Sequence, residues 1–431
     1  MTIGIIQFPG TNCERESRLA LERVGLEGVF FRWNQDLAQL RDFDGYLLAG
    51  GFSYEDRSRS GIIAALDPLM EVIRQESDRG KPVLGICNGA QILVEAGLVP
   101  GGGSPGDPPL VALTTNRRVA RGRVVGTGFY NAWVTLRAET EETAFTGRIP
   151  RGTALNVPAA HAEGRFVMSP QVYQELNERG MIAFRYTDEE GQALEEFPVN
   201  PNGSVGNIAA ITNVRGNVMA IMPHPERTPL GDGIFHSLRE YLERGPGEEK
   251  ARSREEAPSF SSSPAETRLS VDDLPAFAPR QGAHELVVQL IITDNAAVSV
   301  ETALSHRGIS PGITRRVHWE LSLDPDLSPA RAQEVLEAIQ ASGELYNSNK
   351  EECVPAPAGS NSVSLLVRER DDIQGRRVLE ALQNWFGLQE VRSLQRGILW
   401  TLDEAQDLEQ VLNTHILLNP VSQVGLLYDR R

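Results

Sequence analysis

The stretch Gly85-Ile86-Cys87-Asn88-Gly89 places a lone cysteine between two glycines, directly after the apolar run Pro82-Val83-Leu84. An apolar run of this kind predicts a buried strand, and the flanking glycines let that strand and the next helix approach closely. A helix is predicted from Gly89 to Ala96, and the positive end of its dipole favours a thiolate at Cys87. The pattern therefore predicts a nucleophile on a sharp strand-to-helix turn.

A candidate base and its orienting carboxylate occur much later in the chain, in Pro223-His224-Pro225-Glu226. This segment follows an apolar strand predicted from Val218 to Met222, and its prolines restrict the backbone that presents the imidazole. Taken singly, a buried cysteine is usually a small hydrophobic residue, and a histidine before proline is usually a loop residue. Together, Cys87, His224 and Glu226 favour a catalytic triad, because triads are defined by roles and not by chain order.

The first 243 residues alternate between strand-like and helix-like segments, which predicts an α/β fold with a doubly wound, mainly parallel sheet. Ligands bind beyond the carboxyl ends of the strands in such sheets, where Cys87 and His224 both fall. The predicted strands are Ile3–Phe8, Val29–Trp33, Gly45–Ala49 and Lys81–Ile86, and the predicted helices are Cys13–Val24 and Ile62–Gln75.

Bulk composition narrows the class of protein. A chain of 431 residues with 40% hydrophobic and 23% charged residues is typical of a soluble protein of two or three domains. It has no run of eighteen apolar residues, so we expect a cytoplasmic protein without membrane contact. The net charge of -16 argues against nucleic-acid binding. Cys13, Cys87 and Cys353 have neither paired nor metal-type spacing, so no disulfide framework and no metal site are expected.

The second half of the chain predicts a linker and two small domains. Residues 244–283 are polar and rich in proline and serine, which is typical of a flexible tether. Residues 284–356 and 361–431 then repeat one order of elements, predicting two α+β units. A single α+β domain without a repeat is the alternative. The first unit has Leu286–Thr293, Val298–Arg307, Arg316–Leu323 and Pro329–Ala341, and after a loop from Cys353 to Asn361 the second has Ser362–Arg368, Arg376–Phe386, Val391–Leu402, Glu404–Leu412 and Val421–Tyr428.

Several motifs in the first 243 residues carry a family resemblance. The chain resembles the class I glutamine amidotransferases, and most closely the PurQ family, the glutaminase subunits of phosphoribosylformylglycinamidine synthase. The matching stretches are Phe8-Pro9-Gly10-Thr11-Asn12-Cys13, Gly50-Gly51-Phe52-Ser53-Tyr54, Leu84 to Gln91, Asn156-Val157-Pro158 with His161 and Glu163-Gly164-Arg165, Asn200-Pro201-Asn202-Gly203-Ser204, and Met222 to Arg227.

The resemblance implies a role for each candidate residue. Cys87 would attack the side-chain amide of glutamine, His224 would transfer the proton, and Glu226 would hold the imidazole. The backbone amide of Asn88 would stabilise the oxyanion, with a second donor from the loop of Gly51 and Phe52. Gln91, one turn after the nucleophile, is a candidate for contacting glutamine, and its alternative role is that of a polar helix residue.

Three other matched segments receive structural interpretations. Asn12 and Cys13 follow a strand and could cap the next helix. His161 and Glu163 are expected to be structural or subunit-contact residues, because no nucleophile accompanies them. The stretch 55–59, Glu-Asp-Arg-Ser-Arg, departs from the family pattern, which usually has Gly-Asp after Gly-Gly-Phe-Ser-Tyr.

The C-terminal region resembles the PurS family, the small non-catalytic subunit of the same synthase, most visibly at Leu417-Leu418-Asn419-Pro420-Val421. The chain has no Gly-x-x-x-x-Gly-Lys-Ser/Thr loop, so ATP and magnesium are expected on a separate synthetase of the PurL type, and no cofactor is expected in this chain. Two alternatives stay open, namely a glutaminase that serves another biosynthetic pathway and a non-catalytic scaffold.

Overall fold

The computed structural model describes residues 1–101, 107–245, 260, 269–357, 362–403 and 408–428. The chain divides into two compact units, Met1–Glu266 and Thr267–Arg431. None of the helices described is both long and apolar enough to cross a membrane.

The first unit contains thirteen strands and six α-helices among its described residues. The strands are β1 Thr2–Gln7, β2 Glu27–Arg32, β3 Gly45–Leu48, β4 Val83–Ile86, β5 Val111–Thr114, β6 Arg117–Ala120, β7 Arg123–Thr127, β8 Tyr130–Ala138, β9 Ala154–His161, β10 Arg165–Met168, β11 Ile182–Thr187, β12 Ile208–Thr212 and β13 Val218–Ile221. The helices are α1 Glu14–Arg23, α2 Ile62–Ala65, α3 Pro68–Asp78, α4 Asn88–Glu95, α5 Pro170–Glu178 and α6 Asp232–Arg244.

A nine-stranded sheet forms the centre of this unit, in the order β2-β1-β3-β4-β13-β12-β11-β8-β9. The first five strands are parallel, and the others pair antiparallel. Strands β3, β4 and β13 are buried along their whole length, as expected of central parallel strands covered on both faces. This confirms the predicted α/β class with a doubly wound sheet.

The site residues meet because β4 and β13 are parallel neighbours. Ile86 pairs with Ile221 at the carboxyl ends of these strands. Cys87 follows Ile86, and its N–H donates to the Ile221 carbonyl at 2.8 Å. His224 follows three residues after Ile221, so the elbow and the Pro-His-Pro-Glu segment emerge at one edge of the sheet.

The single helix predicted from Ile62 to Gln75 is wrong, because the structure has two helices there. The break falls at Asp67, whose side chain accepts from the Leu69 N–H at 2.9 Å and caps α3. Pro68 occupies the first helical position, where its missing N–H removes no hydrogen bond. A capping carboxylate followed by proline therefore starts a new helix.

The second unit has six strands and four α-helices among its described residues. They are β14 Ala283–Leu290, α7 Asn295–Ser305, β15 Ile313–Leu323, α8 Pro329–Ala341, β16 Glu351–Val354, β17 Val363–Glu369, α9 Ile373–Asn384, β18 Val391–Leu402, α10 Leu408–Leu412 and β19 Gln423–Leu427. The order β-α-β-α-β thus occurs twice.

Both halves of the second unit share one antiparallel sheet, in the order β16-β14-β15-β18-β17-β19. The long strands β15 and β18 pair along their lengths at its centre. One apolar core joins Trp319 and Val335 of the first half to Val378 and Leu382 of the second. The two halves therefore complete one sheet. Cys353, predicted in a loop, lies in edge strand β16.

Part of the predicted tether is packed structure. The N–H of Phe277 donates to Leu427 O at 2.7 Å, and its ring stacks on Tyr428 with centroids 5.1 Å apart. Phe260 is 2% exposed and lies with the Arg179 guanidinium 4.7 Å from its ring centre. The flexible-tether prediction otherwise falls on residues 246–259 and 261–268, outside the described residues, as do the predicted loop residues 358–361 and helix residues 404–407.

Candidate active site

Cys87 occupies the strand-to-helix elbow that its flanking glycines predict. Its backbone has φ +53° and ψ −107°, a conformation that is strained for any residue with a side chain. A Cβ on Gly89 would collide with the Leu48 carbonyl, and one on Gly85 would collide with the Gly89 carbonyl. The two glycines therefore permit the close strand and helix packing that fixes the nucleophile. The Cys87 thiol donates a long hydrogen bond to Ala160 O, at 3.8 Å.

His224 and Glu226 form a buried hydrogen-bonded pair. Nδ1 of His224 lies 2.7 Å from Oε1 of Glu226, and their side chains are 2% and 0% exposed. Burial opposes protonation of the imidazole, but the Glu226 carboxylate and the neighbouring Cys87 outweigh it and raise the pKa of His224 well above its ordinary value. Nε2 of His224 has no hydrogen-bond partner among the described residues. That nitrogen is free to exchange a proton with a bound substrate.

One cavity of about 340 Å³ is lined by Cys87, His224 and three of the other candidates, whereas Glu226 and Asn88 do not line it. Its volume is within the range of small-molecule sites. The cavity is lined by Asn12, Cys13, Gly51, Phe52, Asp56, Ser60, Cys87, Gln91, Phe129, Asn131, Ala160, His161, Ala162, Glu163, His224 and Arg227.

The loop after β3 is bonded to the Phe-Pro-Gly-Thr-Asn-Cys segment by its backbone. The N–H of Phe52 donates to Gly10 O at 2.9 Å, and that of Tyr54 donates to Pro9 O at 2.7 Å. Gly51 has φ +151°, and a Cβ there would lie 2.7 Å from Gly10 O. Gly51 and Phe52 therefore reach the cavity, but the Phe52 N–H is already engaged in this conformation.

Asn88 connects helix α4 to the loop after β3. Its side-chain oxygen accepts from the Ser53 N–H at 3.0 Å, and its Nδ2 donates to Asp56 Oδ1 at 3.3 Å and Gln91 Oε1 at 2.9 Å. Gln91 also donates to Glu163 O at 2.6 Å. Gln91 lines the cavity, but both the oxygen and the nitrogen of its side-chain amide are hydrogen-bonded to the protein. The backbone N–H of Asn88 lies in the first turn of α4, where helical N–H groups lack intrahelical partners.

A corner of the cavity behind the imidazole holds Cys13 and Arg227. Arg227 Nη2 donates to Cys13 Sγ at 3.0 Å, and its Nε lies 3.8 Å from Glu226 Oε1. One possible ligand atom from each of Cys13, His224 and Glu226 lies within 4.8 Å of the other two. The guanidinium of Arg227 supplies positive charge at the same place. Cys13 stands at the N-cap of α1 without a side-chain capping bond, so the capping role expected there is wrong.

Most of the residues that line the cavity were not predicted to belong to the site, including four with acidic, basic or imidazole side chains. His161 and Glu163 were interpreted as structural or contact residues, and Asp56 and Arg227 were given no role in it. Burial and the neighbouring Glu163 raise the pKa of Asp56 to about 7, although the neighbouring Ser60 hydroxyl opposes the shift. His161, Glu163 and Arg227 lie inside matched motifs, whereas Asp56 lies in the stretch 55–59 that departs from the family pattern. Their convergence depends on contacts between distant segments.

The first unit is similar to known glutamine amidotransferases. A family profile described as "CobB/CobQ-like glutamine amidotransferase domain" matches residues 1–242. The phosphoribosylformylglycinamidine synthase subunit PurQ of Methanothrix thermoacetophila is 45% identical over 262 residues, covering 56% of this chain and 98% of that protein. PurQ of Thermus thermophilus is 40% identical over 227 residues, covering 53% and 89%. A solved structure, "Structure of PurLQS from Thermotoga maritima", is 31% identical with a TM-score of 0.44 and covers 56% of this chain and 98% of that one.

The chain therefore belongs to the CobB/CobQ-like glutamine amidotransferase family. Within that family, its N-terminal 56% is a PurQ-type glutamine amidotransferase domain.

Proposed function

We propose that the first unit is the glutaminase component of phosphoribosylformylglycinamidine synthase in purine biosynthesis. It hydrolyses glutamine and delivers ammonia to a separate ATP-dependent synthetase of the PurL type. The observation that carries this proposal is the strained Cys87 elbow, which shares one cavity with His224, the imidazole that Glu226 holds by a hydrogen bond. The 45% identity to a PurQ subunit supports the choice of pathway.

The chemistry follows from the three side chains. The thiol of Cys87 gives its proton to Nε2 of His224, and its sulfur attacks the side-chain amide carbon of glutamine. A carbon–sulfur bond forms while the carbonyl π bond opens to an oxyanion. The carbon–nitrogen bond then breaks, and Nε2 of His224 gives its proton to the departing ammonia. Glu226 stabilises the imidazolium and fixes the ring through Nδ1. Water, deprotonated by His224, hydrolyses the thioester to glutamate and restores the thiol.

The oxyanion formed in each step needs donors in place before the reaction. The Asn88 N–H lies at the start of α4, adjacent to the nucleophile, and supplies one. A second donor from the Gly51 and Phe52 loop requires release of the bond between the Phe52 N–H and Gly10 O. Productive hydrolysis therefore depends on a rearrangement of this loop.

The second unit is proposed to be the adaptor, in the manner of PurS. In support, its two halves repeat one order of elements and pair through β15 and β18 in a single sheet. Two fused copies would form, within one chain, the paired arrangement that two separate small subunits would form by associating. Because both units belong to one chain, the adaptor would have a high effective concentration for the glutaminase.

The test uses Cys87→Ala in the full chain together with the synthetase. Product formation with glutamine should be lost, whereas formation with ammonium should survive, because the ammonia-accepting chemistry lies on the other chain. Equal loss of both activities would overturn the proposal. Capture of a synthetase of another pathway would assign the glutaminase to that pathway, and full glutamine-dependent activity of the variant would favour a scaffold.

A further inference from the structure

His161 lines the catalytic cavity as a buried imidazole with one unused nitrogen. The residue is 5% exposed, and its Nε2 has no hydrogen-bond partner among the described residues. Burial, helped by the charge of His224, lowers the pKa of His161 to about 3, so the ring is neutral at physiological pH. Buried polar groups normally have partners. A purely structural histidine would not leave this nitrogen unsatisfied.

The hydrogen bonds of Asn116 determine which nitrogen of His161 carries the proton. The side-chain oxygen of Asn116 accepts from the Gly164 N–H at 2.9 Å, which fixes the orientation of the amide. Its Nδ2 therefore faces His161, 3.1 Å from Nδ1 and 2.7 Å from the His161 carbonyl, and it also lies 3.2 Å from the Gly128 carbonyl. An amide nitrogen does not accept hydrogen bonds, so a proton on Nδ1 would face no acceptor there, and Nδ1 is the unprotonated nitrogen. The neutral ring then carries its proton on Nε2, as an unpaired donor.

The ring position is built into the backbone. A Cβ on Gly164 would collide with Nδ1 and Cε1 of His161. Glycine at this position leaves room for the Nδ1 and Cε1 atoms of the imidazole, and Asn116 holds Nδ1. His161 is thus held as a donor in the wall of a cavity that contains Cys87.

Two carboxylates line the same cavity. Ser60 Oγ donates to Glu163 Oε2 at 2.6 Å and is also a neighbour of Asp56. The two acids are close enough for Glu163 to disfavour ionisation of Asp56. A cation bound between them would relieve this repulsion. The cavity therefore offers an unpaired donor for an anion and a carboxylate pair for a cation.

We propose that these residues bind the amino-acid head of glutamine, with the Nε2–H of His161 donating to the α-carboxylate and with Asp56 and Glu163 receiving the α-ammonium. This assignment rests on the proposed glutaminase function. It makes the site selective for a free α-amino acid, because a substrate lacking either charge leaves a buried group without its partner. The side-chain amide then points to Cys87.

The test compares three amides as substrates of the full chain with its synthetase. They are glutamine, its α-carboxamide, which lacks the carboxylate charge, and 4-carbamoylbutanoate, which lacks the ammonium. For the wild type, kcat/KM should fall by about 10- to 100-fold for each altered substrate, the range of a hydrogen bond to a charged group. His161→Leu should lose most of the discrimination against the carboxamide and keep that against 4-carbamoylbutanoate. Asp56→Asn should show the reverse pattern, and His161→Gln, which retains an N–H, should recover part of the discrimination that His161→Leu loses.

The outcomes distinguish a failure of the head-group assignment from a failure of the proposed glutaminase function. If His161→Leu lowers kcat/KM for glutamine and its carboxamide by equal factors, the head-group assignment is overturned. If that variant does not fold, Asp56→Asn and His161→Gln decide by the same comparison. Alkylation of Cys87 by iodoacetamide, which has no amino-acid head, should proceed at the wild-type rate in all three variants. A wild-type chain that hydrolyses none of the three amides would instead contradict the proposed glutaminase function.

Discussion

Replacing Glu55 by glycine should stabilise the first unit. Tyr54, Glu55 and Asp56 are three consecutive residues with left-handed backbones, at φ +52°, +57° and +53°. The side chain of Glu55 is 77% exposed, and its ion pair with Arg57 at 3.1 Å is at the surface. At this position the PurQ pattern has glycine, which adopts left-handed conformations without a steric penalty. The departure from the PurQ pattern therefore places a residue with a side chain, Glu55, in a strained left-handed backbone conformation.

The magnitude follows from two opposing effects. A left-handed conformation costs a residue with a side chain about 1–2 kcal/mol. Glycine loses more backbone entropy on folding, which returns roughly 0.5–1 kcal/mol of that gain. Glu55→Ala is the matched control, because it removes the same ion pair and keeps the strain. The free energy of unfolding should therefore be higher for Glu55→Gly than for Glu55→Ala by about 0.5–1 kcal/mol.

Amide hydrogen exchange in the full chain measures this difference within one unit. Peptides from β3 and β4 report opening of the first unit's core. They should exchange about two- to fivefold more slowly in Glu55→Gly than in Glu55→Ala, which is the expected free-energy difference expressed as a ratio. Equal exchange, or faster exchange in Glu55→Gly, would refute the left-handed assignment.

Three further substitutions test the site. Glu226→Gln should shift the acid limb of the pH profile of kcat/KM to lower pH, because Glu226 raises the pKa of His224. The same substitution should lower kcat by about 10²-fold or more. An acid limb at the wild-type pH would contradict the pairing of His224 with Glu226. Gly50→Ala places a Cβ 3.0 Å from Cε1 of His224 and should lower kcat by about 10- to 100-fold. Gly147→Ala is the control, because the nearest atom to its new Cβ is 3.7 Å away, and kcat should stay unchanged. Equal kcat values for the two variants would count against this geometry. Asn88→Ala removes three hydrogen bonds and should destabilise the first unit by about 1–3 kcal/mol in the same exchange assay; unchanged protection would show that these bonds do not anchor the loop.

The sequence predicted elements best where local chemistry sets their limits. The helix Pro329–Ala341 matches its predicted bounds, because Ser328 caps it and accepts from the Arg331 N–H at 3.3 Å. The buried strands β3, β4 and β13 were visible as apolar runs, since parallel strands are covered on both faces. The Cys87 elbow and the pair of His224 and Glu226 were predictable because the glycines around Cys87 and the Pro-His-Pro-Glu segment both carry local signals.

Contacts between distant segments were not predictable in the same way. The pairing of β15 with β18 joins two halves that local patterns presented as separate units. The engagement of Gln91 by Asn88 and by the Glu163 carbonyl depends on three different segments. His161 looked structural because its unpaired nitrogen is evident only once the residues around it are in place.

The most direct test of the account is acid quenching of the full chain during turnover of ¹⁴C-glutamine with the synthetase present. Label should remain bound to the protein, should be released by neutral hydroxylamine as expected of a thioester, and should map to the peptide that contains Cys87. Cys87→Ala should retain no label and form no glutamate. Glutamate formation at an undiminished rate by that variant, or label on a different residue, would contradict the central claim that Cys87 is the nucleophile of a glutaminase.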